Sequence, residues 1–373
     1  MASEIRVAVI EGDGIGPEVI REATRAAKAV EAAFDTSLFE MTELPLSADR
    51  YLEAGVTVTE DEFRSISEDF DAVLLGALGD PRVPGNEHAR DILLGMRFRL
   101  DLYVNHRPAI LVSPELSPLK RARLPTRIDT FRENTEGAYL GMGGSFKTGT
   151  ADEIAIEEDV NTRKGVERIV RAAFEFARER GRGRVTLVDK ANAQPWAGGL
   201  YRRVFGEVAA EFDGIETDHA YIDTAAMNLV RRPELYEVIV TSNLFGDIVS
   251  DLAAAVTGGL GMAASANLHP GRHALFEPVH GSAPDIAGRG IANPLGAVRC
   301  VGMMLDHFGH AQAAALLEET VVRSVQTGVT TPDLGGSAGT VEVGDWVVDE
   351  IAGAGPRTRP SRTGKPRKKA AWM

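Results

Sequence analysis

Residues 241–251 read TSNLFGDIVSD after an apolar, strand-like stretch, which puts Asp247 and Asp251 four apart on one face of a helix. Like charges at that spacing repel by about a few tenths of a kcal/mol. A helix N-terminus tolerates Asp247, but Asp251 stands a turn deeper among apolar neighbours. A bound cation removes the conflict and a solvated face is the plain alternative; the segment alone leaves both open. Oxygen donors with no Cys or His beside them point to a hard ion, Mg2+ or Mn2+. Arginines set among apolar and aromatic residues come next: Arg97 and Arg107 in RFRLDLYVNHR, and Arg132 in FRENTEGAYLG. Their fixed donor forks suit carboxylates, whereas Arg99 reads as an ordinary surface residue. Tyr139 is a candidate proton donor and Lys190 a base if burial lowers its pKa. Taken singly, Tyr139 and Lys190 read as structural before they read as catalytic. His106 and His219 carry little weight alone, and Cys300 in an apolar helix reads as a packed core residue.

These residues need elements to hold them. The strand Ile5–Ile10 runs into Gly12, Gly14 and Gly16 and then an Ala-rich amphipathic helix over 19–32. The spacing is GxGxG rather than GxGxxG, and no acid is read at the end of a second strand about 20 residues on, so a tight strand-to-helix turn is read in place of a dinucleotide fingerprint. There is no P-loop motif. Strands are predicted over 70–75, 184–188 and 236–241, and helices over 90–100, 166–180, 200–212, 246–255 and 294–308. This alternation predicts an α/β protein with a largely parallel sheet. Glycine clusters at 141–149 and 258–261 mark a hairpin arm and a domain crossing.

At 373 residues the chain is long enough for two domains, and 44% apolar with 25% charged residues excludes disordered, fibrous and disulfide-scaffold classes. The net charge is −13, yet residues 355–373 hold seven Lys or Arg and no acid, so the rest is more acidic than the average. That is no basic nucleic-acid face, and the tail, poor in apolar residues, reads as disordered. A single Cys fits a reducing cytoplasm. Neither a secretory signal nor a membrane-spanning apolar run is read.

The segments EGDGIGPE, RLDLYVNHRP, RENTEGAY, VDKAN, YIDTAAMNLV, TSNLFGDIVSDL and EPVHGSAPDIAGRGIANP, in this order from about residue 5 to 351, resemble the metal-dependent β-decarboxylating dehydrogenases. This family includes the isopropylmalate, isocitrate, homoisocitrate and tartrate/malate enzymes, and the isopropylmalate branch is the nearest. The resemblance implies a two-domain isopropylmalate dehydrogenase-like fold with a mixed, largely parallel sheet, not a dinucleotide-binding Rossmann fold. Residues 1–102 with 258–354 would form a discontinuous cofactor-side domain. Residues 103–257 would form a substrate and dimerisation domain with an arm near 132–155, and a homodimer would share its active sites in the cleft. It implies NAD and Mg2+ or Mn2+ as cofactors. Arg97, Arg107 and Arg132 would bind substrate carboxylates, with Tyr139 and Lys190 catalytic and Lys190 acting across the dimer. Asp223 would bind substrate and, with Asp247 and Asp251, the metal. Leu93 and Leu94 would line an apolar substituent pocket. Ile15, Glu277, His280, Gly281, Ser282, Ala283, Pro284, Asp285 and Asn293 would meet the cofactor, Asp285 at the ribose hydroxyls. The implied reaction is oxidative decarboxylation of a small-molecule substrate, 3-isopropylmalate, in leucine biosynthesis. Arg90, Asp91 and Ala193 depart from the usual isopropylmalate pattern, so tartrate, D-malate, homoisocitrate or another 3-substituted malate stays open. A non-catalytic subunit would lack the tyrosine or the aspartates, and all are present.

Overall fold

The computed structural model describes residues 4–124 and 126–354; the basic tail over 355–373 lies outside the described residues. In chain order the strands are β1 (Ile5–Ile10), β2 (Phe39–Glu43), β3 (Ala72–Leu75), β4 (Val104–Leu111), β5 (Thr126–Glu133), β6 (Gly143–Phe146), β7 (Ile154–Glu157), β8 (Arg184–Asp189), β9 (Glu216–Tyr221), β10 (Val238–Thr241), β11 (Ala264–His269) and β12 (His273–Pro278). The described residues divide into two units, one from within Met1–Leu102, Leu111–Pro118 and Thr257–Met373, the other from Tyr103–Ile110 and Leu119–Val256. Strands alternate with helices in a mixed, largely parallel arrangement, so the protein is α/β.

In the first unit the strands run in the order β2–β1–β3–β12–β11. β1 pairs in parallel with β2 and β3, β3 pairs in parallel with β12, and β11 pairs antiparallel with β12. All four residues of β3 are buried and β1 exposes only Arg6, the near-continuous apolar reading of a parallel strand covered on both faces. One core gathers Ile10, Leu75, Ile92, Met96, Leu102 and Leu275. The helix Gly16–Phe34 buries Val19, Ile20, Ala23, Ala26, Ala27 and Val30, the stripe that its period dictates. The turn before it shows why glycine recurs there. Gly12 has φ +75° and Gly14 φ +57°, and a Cβ on them would lie 2.2 Å from the Ala77 carbonyl oxygen and 2.0 Å from that of Ser282. Close backbone approach therefore accounts for the GxGxG spacing.

In the second unit the order is β4–β5–β10–β8–β9, with β5, β10, β8 and β9 mutually parallel. The registers align Thr241 with Arg132 and with Val188, and Asp189 with Tyr221. The carboxyl ends of four strands thus share one edge, where open parallel sheets characteristically bind ligands. A core of Ile128, Val188, Ala225, Leu229, Ile239 and Val249 lies behind it. β9 is mostly exposed and carries Glu216, Asp218 and His219, charge that blunts a sheet edge. β6 and β7 form an antiparallel hairpin between the glycines of the 141–149 cluster and the helix Arg163–Glu179.

Several element boundaries differ from expectation for local reasons. The strand expected from residue 70 begins at Ala72, because Phe70 caps the helix Glu60–Asp69. The helix expected from 200 begins at Pro195, a residue pre-set for the first helical turn. The helix expected over 90–100 is divided into a π-turn, Arg90–Leu94, and a short helix, Gly95–Arg99.

Candidate active site

The second unit builds its polar centre from the carboxyl ends of its strands. Arg132 leaves the end of β5, is 1% exposed, and directs Nε and Nη2 to Asn243 Oδ1 at 3.0 and 2.7 Å. Its Nη1 donates to Asp247 Oδ1. Asn243 opens the helix Asn243–Thr257 after β10, and its Nδ2 donates to the Glu136 carbonyl at 2.8 Å. One amide therefore fixes both the arginine and the loop that leads to Tyr139. That tyrosine sits in the 3-10 turn Ala138–Leu140, between Gly137 at φ +80° and Gly141 at φ +64°. Its hydroxyl donates to Asp247 Oδ2 at 2.5 Å while the Arg132 guanidinium lies 4.9 Å from its ring centroid. Gly246 makes the close approach possible, since a Cβ there would stand 2.5 Å from Arg132 Cβ.

Arg107 comes from β4 and completes the centre. Its Nη1 reaches Asp251 Oδ1 at 3.0 Å, Ser250 Oγ at 3.0 Å and Asp247 Oδ1 at 3.3 Å, and its buried Nε has no partner. Burial pushes the Asp251 carboxyl above its ordinary pKa, Arg107 opposes this, and the Asp247 charge adds to the rise. Asp247 and Asp251 thus form a pair of oxygen donors whose joint charge calls for cations, the chemistry of a hard-ion site. The donor set fits Mg2+ or Mn2+.

Asp223 falls elsewhere in the chain. It lies in the first turn of the helix Ile222–Arg231 after β9, and its Oδ1 accepts from Lys190 Nζ at 2.6 Å. The lysine hydrogen bond holds the Asp223 carboxyl below its ordinary pKa. Lys190 follows β8, its carbonyl accepting the Ala193 and Gln194 N–H groups. Asp189 before it is buried and bound by Arg202. Among the described residues no three acidic or metal-ligating side chains of one chain gather to hold an ion, so Asp223 does not join Asp247 and Asp251 within the chain.

The first unit carries the remaining expected residues. Arg97 lies in the helix Gly95–Arg99, donates Nη2 to Glu277 Oε1 at 2.8 Å, and keeps a buried Nε without a partner. Glu277 Oε1 also accepts from Asn267 Nδ2 at 2.8 Å, so that oxygen positions Arg97. Leu93 packs in part on the core, and Leu94 is half-buried beside it. Asp91 meets Thr57 Oγ1 at 3.2 Å, and Arg90 is exposed. Ile15 is 5% exposed and its N–H donates to the Ser282 carbonyl at 2.9 Å, joining the glycine turn to the loop of Gly281, Ala283, Pro284 and Asp285. Asp285 is exposed in that loop, and Ala283 holds φ +39°. His280 has a buried Nε2 with no partner, and burial lowers its pKa. Asn293 accepts the N–H of Leu295, the first residue of the helix Leu295–His307, and donates to Asp333.

Sequence reasoning did not single out Asn243, Ser250 or the role of Glu277 on Arg97. Asn243 was within reach, since it continues the four-residue spacing of Asp247 and Asp251 onto the same helix face. The Glu277 contact spans 180 residues and has no local signal.

Known proteins resemble this chain along most of its length. The sequence profile described as isocitrate/isopropylmalate dehydrogenase matches residues 6–347. The chain is 44% identical over 361 residues to a 3-isopropylmalate dehydrogenase of Thermobifida fusca, covering 95% of this chain and 99% of that protein. It is 48% identical over 323 residues to a 3-isopropylmalate dehydrogenase of Frankia casuarinae, covering 86% and 92%. Among solved structures, isocitrate dehydrogenase from Methylococcus capsulatus matches with a TM-score of 0.84 at 36% identity, covering 93% of this chain and 99% of that one.

Proposed function

The chain belongs to the isocitrate/isopropylmalate dehydrogenase family, and from that premise we propose that it catalyses the NAD-dependent oxidative decarboxylation of 3-isopropylmalate to 2-oxoisocaproate in leucine biosynthesis. The observation that carries the reading is the convergence of Arg107, Arg132 and Tyr139 on Asp247, with Asp251 four residues on. It provides carboxylate-binding forks, a proton donor and a hard-ion donor pair at one strand edge.

Asp247 and Asp251 would hold Mg2+ or Mn2+, and such an ion when bound supplies Lewis acidity toward the oxygen on the carbon being oxidised. Ile15 and the loop with Asp285 would hold NAD, which when bound would supply the acceptor for the hydride of that carbon. Arg107 and Arg132, with Arg97, fix the substrate carboxylates. Lys190 receives the 2-hydroxyl proton, and Asp223 at 2.6 Å stabilises the resulting ammonium. When the bond to the β-carboxylate breaks and CO2 leaves, Tyr139 delivers a proton to the carbon left behind. Leu94 presents an apolar surface to the isopropyl group, each CH2 removed from water contributing about 0.8 kcal/mol.

Three further readings belong to this proposal. The protein acts as a homodimer in which Lys190 and Asp223 serve the partner's centre. Apolar residues left exposed on the helices that carry the aspartates support it: Leu244 and Ile248 beside Asp247, and Met227 and Val230 beyond Asp223. The hairpin exposes Phe146, Ile154 and Ile156 as well, a patch of the kind that marks an interface. Asp285, a carboxylate at the ribose hydroxyls, favours NAD over a 2′-phosphorylated cofactor. A cytoplasmic location fits the one cysteine, Cys300, which is buried and unpaired. No helix among the described residues is long and apolar enough to cross a membrane.

The test is a panel of 3-isopropylmalate, D-malate, tartrate, isocitrate and homoisocitrate with NAD and Mn2+. The isopropyl compound is expected to have the highest kcat/KM, and a different leader overturns the substrate assignment. EDTA-treated enzyme that still forms NADH overturns the metal assignment.

A further inference from the structure

The pocket-bearing segment of the first unit takes an unusual backbone path. Gly85 and Asn86 take left-handed conformations, at φ +72° and +51°. The π-turn Arg90–Leu94 follows, continuous with the helical residues on either side. Such turns mark functional places and need outside support. Most of the polar ties of this segment are exposed: Tyr51 to Glu87 at 3.0 Å and Thr57 to Asp91 at 3.2 Å. His88 is the exception. It is 0% exposed, with Nε2 lying 2.8 Å from Asp13 Oδ2. A carboxylate only accepts, so the imidazole Nε2–H is the donor. Nδ1, also buried, has no partner, so Asp13 is the one polar contact that orients this ring.

Asp13 itself belongs to the glycine turn. Its Oδ1 accepts the Ala48 N–H at 2.6 Å and its Oδ2 the Gly79 N–H at 2.8 Å. Two residues on, the Ile15 N–H binds Ser282. One buried carboxylate therefore joins the turn of the adenosine side to the segment that presents Leu94 and leads into Arg97. We propose that His88 is a positioning residue: its bond to Asp13 sets the substrate-pocket segment against the cofactor turn, so that one hydrogen bond supports the binding of both NAD and the malate. This rests on the cofactor and substrate reading given above. The groups that move protons, Tyr139 and Lys190, lie in the other unit and are not touched by it.

The test uses three full-length variants, with the NAD Kd by calorimetry, the KM for 3-isopropylmalate, kcat, and Tm. His88→Gln places an amide N–H near the former Nε2, His88→Asn is polar but falls short of Asp13, and His88→Leu fills the space without a donor. The expected result is a rise of about fivefold in both NAD Kd and substrate KM for the Leu and Asn variants, the scale of one hydrogen bond, with kcat within about twofold of wild type. His88→Gln is expected to restore both constants. Unchanged constants in the Leu and Asn variants overturn the proposal, as does a Gln variant as impaired as the Asn variant, or a loss confined to kcat. If His88→Leu does not fold, the Gln and Asn pair decides alone. Wild-type protein that binds NAD without oxidising 3-isopropylmalate overturns the substrate reading and leaves the NAD comparison decisive; wild-type protein that binds no NAD overturns both.

Discussion

Lys190 Nζ lies 2.6 Å from Asp223 Oδ1, and the pairing holds the aspartate below its ordinary pKa. Lys190, to which the proposed mechanism gives the hydroxyl proton, is therefore kept beside a carboxylate whose ionised form it favours. Replacing it with Met keeps the chain length and removes the amine. Lys190→Met is expected to lower kcat by about 10^2 to 10^4, the usual range for an acid–base group, with the NAD Kd unchanged in a binding titration. A kcat within tenfold of wild type, about 1.4 kcal/mol, would remove Lys190 from the mechanism.

Tyr139 donates to Asp247 at 2.5 Å, and the proposed mechanism has it act after decarboxylation. Tyr139→Phe is expected to slow the final protonation by about 10^2 while hydride transfer survives in part. Rapid-quench analysis should then show an NADH burst ahead of the keto acid product. Equal slowing of both, with no burst, would place the tyrosine at the first step.

Gly246 allows the helix Asn243–Thr257 to begin against Arg132. A Cβ at 2.5 Å from Arg132 Cβ cannot be accommodated without a shift. Gly246→Ala is expected to cut kcat/KM by about 10^2, the effect of an ångström-scale misplacement. The stability cost is expected to be about 1–3 kcal/mol, so urea unfolding run beside the kinetics separates displacement from unfolding.

Glu62 caps its own helix with Thr59 and binds Arg50 through both oxygens, at 2.6 and 2.8 Å. The Arg50 bonds, with help from the Thr59 cap, hold its pKa down at about 2, against an ordinary value of 4.5. A carboxylate depressed in the folded state stabilises it above the unfolded pKa and loses that contribution as pH falls through the folded one. Glu62→Gln is therefore expected to lower stability by about 1 kcal/mol at pH 7, after allowance for solvent screening. The difference from wild type should shrink between pH 4.5 and pH 2 in urea titrations. A difference that does not change with pH would mean that the cap geometry, not the charge, carries the effect.

What the sequence determined by itself is local. The pair Asp247 and Asp251 on one helix face follows from a spacing of four and a helical period, and the parallel α/β reading follows from apolar strands alternating with amphipathic helices. The GxGxG turn was already distinguishable from a dinucleotide loop, because its spacing is not GxGxxG; the structure adds the reason for the glycines, the close approach of Gly12 and Gly14 to the Ala77 and Ser282 carbonyls. The family motifs pointed to candidate catalytic residues, down to Tyr139 and Lys190. The π-turn at Arg90–Leu94 was not legible, since one inserted residue leaves the apolar pattern around it intact. Nor were the partners: Arg107 and Arg132 reach Asp247 from 140 and 115 residues away, and His88 reaches Asp13 across 75. Those contacts depend on strand registers and helix packing that no local window encodes. Tertiary structure decided them, because a buried charge must find a partner wherever the fold places one.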